Sequence, residues 1–282
     1  MSEISAASVG KLREMTGAGL MDCKKALVES QGNLDAAVDA LRKKGVASAA
    51  KKAGREAREG LIAQAILSGA KVGLLLEVNC ETDFVAKNDG FRVFCDELGK
   101  KLANNATAAE IEADRIAIVA KIGENIVIGR HQRIEVSGSG LVSAYIHTGA
   151  KVGVLVEVGA SKDATTTSED FKQLVRDITL QIAAGHPHVV NRMEVPAAVV
   201  AKEDDINRNS DRLKGKPAQA IDKILIGMRE KFYQGHCLVD QGFVKNPDST
   251  VAQHIGETSK KLGDEFTVRR FVRFQVGEGA AA

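Results

Sequence analysis

Four stretches of this 282-residue chain carry residue types that could do chemistry. His186-x-His188 offers two imidazoles to a metal ion, but no third ligand stands at motif spacing, so no metal site is expected. Thr16-Gly17-Ala18-Gly19 has the glycines of a phosphate loop. It follows a helical pattern rather than a strand, and it lacks the lysine of Gly-x-x-x-x-Gly-Lys-Ser/Thr, so a helix-breaking turn fits better and no nucleotide binding is expected. Cys23, Cys80, Cys95 and Cys237 are scattered without a Cys-x-x-Cys pair and read as reduced thiols; Cys23 and Cys80 fit small buried residues better than nucleophiles. No Ser/His/Asp or Cys/His set has recognisable local context, so neither an enzyme nor a cofactor is expected. The fourth stretch, Asn79-Cys80-Glu81-Thr82-Asp83-Phe84-Val85-Ala86-Lys87, sets one aromatic among charges, and its chemistry would be recognition.

An internal duplication gives that stretch its weight. At an offset of 80, residues 60–78 align with 140–158 and 11 of the 19 positions are identical, including Gly69-Ala70-Lys71-Val72-Gly73 over Gly149-Ala150-Lys151-Val152-Gly153. The copies then diverge, and Ala164 in a Ser/Thr-rich run stands where the first copy has Phe84. Two readings fit Phe84: a core residue at the end of a strand, or an anchor for a partner's pocket on a loop that the scaffold itself does not require.

The elements that would position these residues follow from periodicity. Residues 1–45 predict three short helices, broken at Gly17–Gly19 and at Gly32-Asn33, with Asn33 as an N-cap and a stop at Gly45. Each copy opens with two apolar runs around a glycine turn, a hairpin signature. Each continues into an amphipathic helix, marked by Phe91, Phe94, Leu98 and Leu102 in the first and by Phe171, Leu174, Ile178 and Ile182 in the second. Asn88 or Asp89 would cap the first of these helices and Ser168 the second. Between the copies, Thr107-Ala-Ala-Glu110 is a capping box for a further helix ending at Gly123, and Asn125–Val136 reads as a strand able to join the sheet. Pro196–Leu213 and Pro217–Phe232 predict two helices whose narrow apolar stripe suits a projecting hairpin. Asp248 or Ser249 would cap one more helix, and Phe266–Val276 would form the last strand. The fold class expected is α+β: an N-terminal three-helix domain (1–45), a basic linker (46–59), a first core subdomain (60–139) and a second (140–282) with a hairpin insertion at about 196–233.

Composition narrows the function. No run of 18 apolar residues suggests a membrane span, and Met-Ser-Glu-Ile-Ser does not open a signal peptide, so a cytoplasmic setting is expected. Seven basic residues between Arg42 and Arg58, with Arg269, Arg270 and Arg273 on the last strand, allow an RNA-binding adaptor as an alternative. A net charge of +2, two tyrosines and no tryptophan speak against that alternative.

Four stretches in order resemble the bacterial elongation factor Ts family: Thr16-Gly-Ala-Gly-Leu-Met-Asp-Cys-Lys-Lys-Ala-Leu27, Leu76-Glu-Val-Asn-Cys-Glu-Thr-Asp-Phe-Val-Ala-Lys87, Val119-Ala-Lys-Ile-Gly-Glu-Asn-Ile126 and Phe274-Gln-Val-Gly-Glu-Gly279. The resemblance implies a guanine-nucleotide exchange factor that promotes GDP release from elongation factor Tu and prefers the nucleotide-free GTPase. It implies that the three N-terminal helices resemble a ubiquitin-associated domain and bind the partner through Leu12, Arg13, Leu20, Met21 and Lys24. It implies that Thr82, Asp83, Phe84 and Val85 form the loop that displaces the partner's Mg²⁺. Members of the family often carry a helix beyond the final strand, and none is expected in Gly279–Ala282.

Overall fold

The computed structural model describes residues 4–278, so Gly279 of the last motif and the three alanines after it lie outside the described residues. Three helices open the chain: α1 (Ala6–Thr16), α2 (Leu20–Glu29) and α3 (Leu34–Lys52). Gly17 ends α1 in the left-handed conformation at φ 66°, which glycine adopts without steric cost. Asn33 caps α3 by accepting the Ala36 N–H at 3.0 Å. Val9, Leu12, Cys23, Ala26, Leu27 and Ala37 close a small core between the helices.

The expected stop at Gly45 does not occur, because α3 runs through it to Lys52. Ile116 Cγ2 and Ala120 Cβ, on a helix of the first copy (Ala108–Ile122), lie 3.6 Å from where a Gly45 Cβ would stand. The glycine therefore serves close helix packing rather than termination, and α3 itself packs against the first copy.

The first copy comprises β1 (Glu59–Ile66), β2 (Val72–Cys80), the single turn α4 (Asp83–Ala86), α5 (Asp89–Ala103), α6 (Ala108–Ile122) and β3 (Val127–Glu135). The second comprises β4 (Gly140–Ile146), β5 (Val152–Ala160), a 3₁₀ turn at Asp163–Thr167 and α7 (Glu169–Gly185). It continues through α8 (Ala197–Arg208), α9 (Ala218–His236), the short hairpin β6 (Gly242–Phe243) and β7 (Asn246–Thr250), then α10 (Val251–Leu262) and β8 (Phe266–Gln275). Asn88, Ser168 and Thr107 cap their helices as expected, and Gly123 ends α6. The cap of α10 is Thr250 in a capping box with Gln253, not Asp248 or Ser249: Thr250 is the last residue of β7 and adjoins the helix, while the other two lie further back in the strand.

Each copy builds an antiparallel three-stranded sheet, ordered β1-β2-β3 and β4-β5-β8. One face of each sheet carries its own helices. Leu61, Leu74, Leu76 and Val78 pack with Phe91 and Leu98, while Val154, Val156 and Val158 pack with Phe171, Leu174, Ile178 and Ile182. The other faces meet each other through Ile62, Leu75 and Ile134 from the first sheet and Val142, Leu155 and Phe274 from the second. The result is a four-layer body in which the central strands are buried on both faces. Val72–Cys80 and Val152–Ala160 are accordingly mostly apolar rather than alternating, interrupted by Glu77 and Asn79 in the first and by Glu157 in the second.

The sheet contact is reciprocal. Lys71 Nζ donates to the Gly140 carbonyl and Lys151 Nζ to the Gly60 carbonyl, each at 3.0 Å. Gly73 and Gly153 lie where the sheets approach most closely: a Cβ on Gly73 would stand 2.5 Å from Val142 Cγ1, and one on Gly153 would stand 2.5 Å from Ile62 Cγ2. The strand sequences therefore cannot carry a side chain there without moving the sheets apart.

Two buried glutamates complete the symmetry. Glu77 accepts Arg130 Nε at 2.9 Å and, from the other copy, the Gly277 N–H at 2.9 Å. Glu157 accepts Arg270 Nε at 2.8 Å and the Ser137 N–H at 2.9 Å. Burial would raise the Glu157 carboxyl pKa, but the Ser137 N–H and the Arg269 and Arg270 guanidiniums outweigh it and hold the pKa below its ordinary 4.5.

Candidate functional site

The turn that follows β2 carries Phe84, singled out by the duplication, with Thr82, Asp83 and Val85, which the family resemblance adds. It is a single helical turn rather than an open loop, with Thr82 as N-cap. Thr82 Oγ1 accepts the Val85 N–H at 3.4 Å, and Asp83 pairs with Lys87 at 2.7 Å. That Lys87 hydrogen bond draws the exposed Asp83 carboxyl below its ordinary pKa. Ala86 is buried in the core, Val85 packs against it partly buried, and Phe84 points outward with 80% of its surface exposed. The reading of Phe84 as a core residue is therefore overturned: the core beneath is filled by Phe91 and its neighbours.

The turn is held from a distance. Glu124, between α6 and β3, takes the Glu81 and Thr82 N–H groups on Oε2 at 3.0 Å each and the Thr82 hydroxyl on Oε1 at 2.6 Å. The next residue, Asn125, is buried; its N–H donates to Glu81 Oε1 at 2.6 Å and its side-chain amide to the Arg55 carbonyl at 2.8 Å. Cys80 Sγ donates to the Thr82 carbonyl at 3.2 Å, and burial pushes its thiol pKa up to about 12. Cys80 is thus a buried thiol with no nucleophilic character at neutral pH. All four cysteines are buried and free.

Glu124 and Asn125 received no role from sequence reasoning. The available signal was a second, weaker repeat at an offset of 140, in which Gly123-Glu124 becomes Gly263-Asp264 and Arg130 becomes Arg270.

The N-terminal set divides. Leu20 and Met21 are exposed at 53% and 71%, and Arg13 and Lys24 also face solvent, with Met15 and Val28 extending the apolar surface. Leu12 is a correction: it is fully buried between the three helices and cannot offer its side chain to a partner while they remain packed.

The other candidates fall away for physical reasons. Thr16–Gly19 is the turn between α1 and α2, and the Thr16 hydroxyl donates back to the Leu12 carbonyl at 2.7 Å. His186 and His188 stack on each other, and His188 stacks on His236, with centroids 5.6 and 4.2 Å apart; no group of three or more potential metal ligands occurs among the described residues. Arg269 and Arg270 both bond Glu157, so the last strand does not offer those two guanidiniums as an open basic stripe. The hairpin α8–α9 has no fully buried side chain on α9 among those described, and Ile206 and Ile226 are exposed. No helix among the described residues is long and apolar enough to cross a membrane.

An exposed aromatic on a clamped turn, with an apolar patch on a helical domain, is equipment for docking on another protein rather than for making bonds. Comparison with known proteins agrees in kind. The elongation factor Ts family model matches residues 81–278. Among curated relatives, the elongation factor Ts of Symbiobacterium thermophilum is 43% identical over 286 residues, covering 99% of this chain and 94% of its own. That of Nautilia profundicola is 45% identical over 292 residues, with 99% and 94% covered. That of Nitratidesulfovibrio vulgaris is 41% identical over 280 residues, with 99% and 98% covered. The chain belongs to the elongation factor Ts family. Membership implies nucleotide exchange on elongation factor Tu in translation elongation.

Proposed function

We propose that this protein speeds GDP release from elongation factor Tu by inserting Phe84 beside the partner's Mg²⁺ site, so that the ion is displaced. The observation that carries the reading is the exposure of Phe84 on a turn fixed by Glu124. Mg²⁺ neutralises charge on the phosphates of a bound nucleotide, so moving its ligands weakens nucleotide binding. No covalent step is involved. The protein acts in the cytoplasm and binds the nucleotide-free GTPase in preference to the loaded one. By linkage, GDP weakens the factor's binding by the same factor with which the factor weakens that of GDP.

Thr82 and Val85 shape the turn, and Asp83 pairs with Lys87 beside the wedge. Arg13, Leu20, Met21 and Lys24 form the surface that meets the partner at the N-terminal end. The working division is the one the sequence suggests, with its first boundary moved from residue 45 to the end of α3 at Lys52: a three-helix partner-binding domain, a short segment before β1, and two core subdomains (60–139 and 140–282), with the helical hairpin at about 196–233.

Burying one Phe contributes about 1.5–3 kcal/mol, which is about one to two powers of ten. Phe84→Ala is therefore expected to slow stimulated release of a fluorescent GDP by about 10–100-fold while most affinity for the partner survives. Unchanged stimulation in that assay sinks the wedge.

A further inference from the structure

We infer that Glu124 is the positioning residue of the Phe84 turn, an inference that rests on the proposed role of Phe84. A helix of four residues has no stability of its own, since isolated helices shorter than about 12–15 residues are marginal in water. The direction in which Phe84 points must be set from outside the turn. Below the turn, Ala86 is buried in the core; above it, the Glu124 carboxylate, 40 or more positions away in the chain, gathers three hydrogen bonds from Glu81 and Thr82.

The Thr82 hydroxyl makes the connection directional. Its hydrogen is given to Glu124 Oε1 at 2.6 Å, which leaves an oxygen lone pair to receive the Val85 N–H. Glu124 thus orients Thr82, and Thr82 caps the turn that carries Phe84. The carboxylate is itself fixed between Gly123, which ends α6 at φ 89°, and the buried Asn125.

The second copy separates what is general from what is special. Asp264, one methylene shorter, takes the Ser161 and Lys162 N–H groups at 3.2 Å each. Holding the two peptides is therefore a property of the scaffold. The hydroxyl on Asp264 comes from Thr165, inside the turn at the position of Val85, because Lys162 stands where Thr82 would be. That turn winds as a 3₁₀ helix and carries Ala164. The longer carboxylate and the Thr82 hydroxyl occur together in the copy that displays the aromatic.

The test is a double-mutant cycle on the full chain. Glu124→Gln keeps the shape but puts an amide donor where acceptors are needed. It is expected to slow stimulated GDP release by about tenfold when Phe84 is present and by less than about twofold in the Phe84→Ala background, a coupling of about 1 kcal/mol. Equal losses in both backgrounds, or no loss in either, overturn the inference. Should Glu124→Gln fail to fold, Thr82→Val removes only the relay and is expected to lose stimulation, while Thr82→Ser retains it; equal behaviour of the two overturns the inference. If Phe84→Ala alone leaves release unchanged, the wedge reading fails. Hydrogen exchange at the Thr82 and Val85 amides then decides on the clamp: about tenfold faster exchange in Glu124→Gln supports it, and unchanged exchange overturns it.

Discussion

The two copies hold their first turn in the same way and use it differently. In both, a carboxylate at the start of the third strand grips the two peptides after the second strand, Glu124 in one and Asp264 in the other. In both, a buried glutamate ties its own third strand to the end of the other copy's. The first copy displays Phe84 on that frame, whereas the second displays Ala164 and carries an inserted helical hairpin further along. The scaffold thus supplies rigidity twice and the exposed aromatic once.

Even the shared device is assembled from different residues. Asn79 donates to Glu77 Oε1 at 3.0 Å in the first copy, where Gly129 leaves it room. In the second, Arg269 donates to Glu157 Oε1 at 2.9 Å, across a Gly159 whose Cβ would overlap the guanidinium. The bulk has moved from one strand to the other while the hydrogen bond stayed.

The largest effect is expected at the glutamates. Glu157→Ala leaves two guanidiniums without their carboxylate and should cost about 3 kcal/mol, the bottom of the buried-pair range because both arginines are partly solvated. Glu77→Ala strands only Arg130 and should cost less; urea midpoints showing the reverse order would undo the account of the two clamps. Next come the close-approach glycines. Gly73→Ala and Gly153→Ala should each lower stability by about 1–3 kcal/mol through overpacking. Similar losses would support the two-fold reciprocity, whereas an effect at one site alone would deny it.

A pH series is subtler. The Glu157 pKa is depressed in the folded state, so its contribution is fully present above the ordinary 4.5 and is lost as pH falls through the lowered folded value. Stability should fall in acid below about pH 4.5, and Glu157→Gln should flatten that part of the curve. An unaltered acid limb would remove Glu157 from the explanation. The smallest effect is reserved for Ala164→Phe. An exposed aromatic on the 3₁₀ turn should change GDP release by less than about twofold; a gain comparable to the loss in Phe84→Ala would mean that the frame alone makes a wedge.

Much of the fold was legible because local signals decide local structure. Asn33, Asn88, Ser168 and Thr107 announce their helices by the hydrogen bonds their side chains accept, and the hairpins follow from Gly69 and Gly149. Gly45 misled because its role is set by α6, some seventy residues away, and not by its neighbours in sequence. Asp248 and Ser249 are cap-forming types, but both lie inside β7, which ends at Thr250 and leaves that residue next to the helix. The second half of the repeat was hidden for a different reason. The insertion between α7 and α10 moves the offset from 80 to 140, and the surviving identities are few, among them Gly123 with Gly263, Arg130 with Arg270 and Val136 with Val276. Glu124 lay inside that hidden half. Phe84 could be singled out by its absence from the other copy, but the group that aims it could be found only once the chain was folded.

The hydrogen bond from Gly277 to Glu77 gives the order of synthesis a meaning. Glu77 belongs to a strand made early, yet one of its partners is made about two hundred residues later. Domains generally begin to fold from the N-terminal side while the chain is still being made. Here the buried carboxylate finds Asn79 and Arg130 within its own copy, but its third partner exists only after β8 has been made. A molecule translated only as far as β3 would therefore hold a first copy with its Phe84 turn clamped by Glu124 but its buried Glu77 one hydrogen bond short.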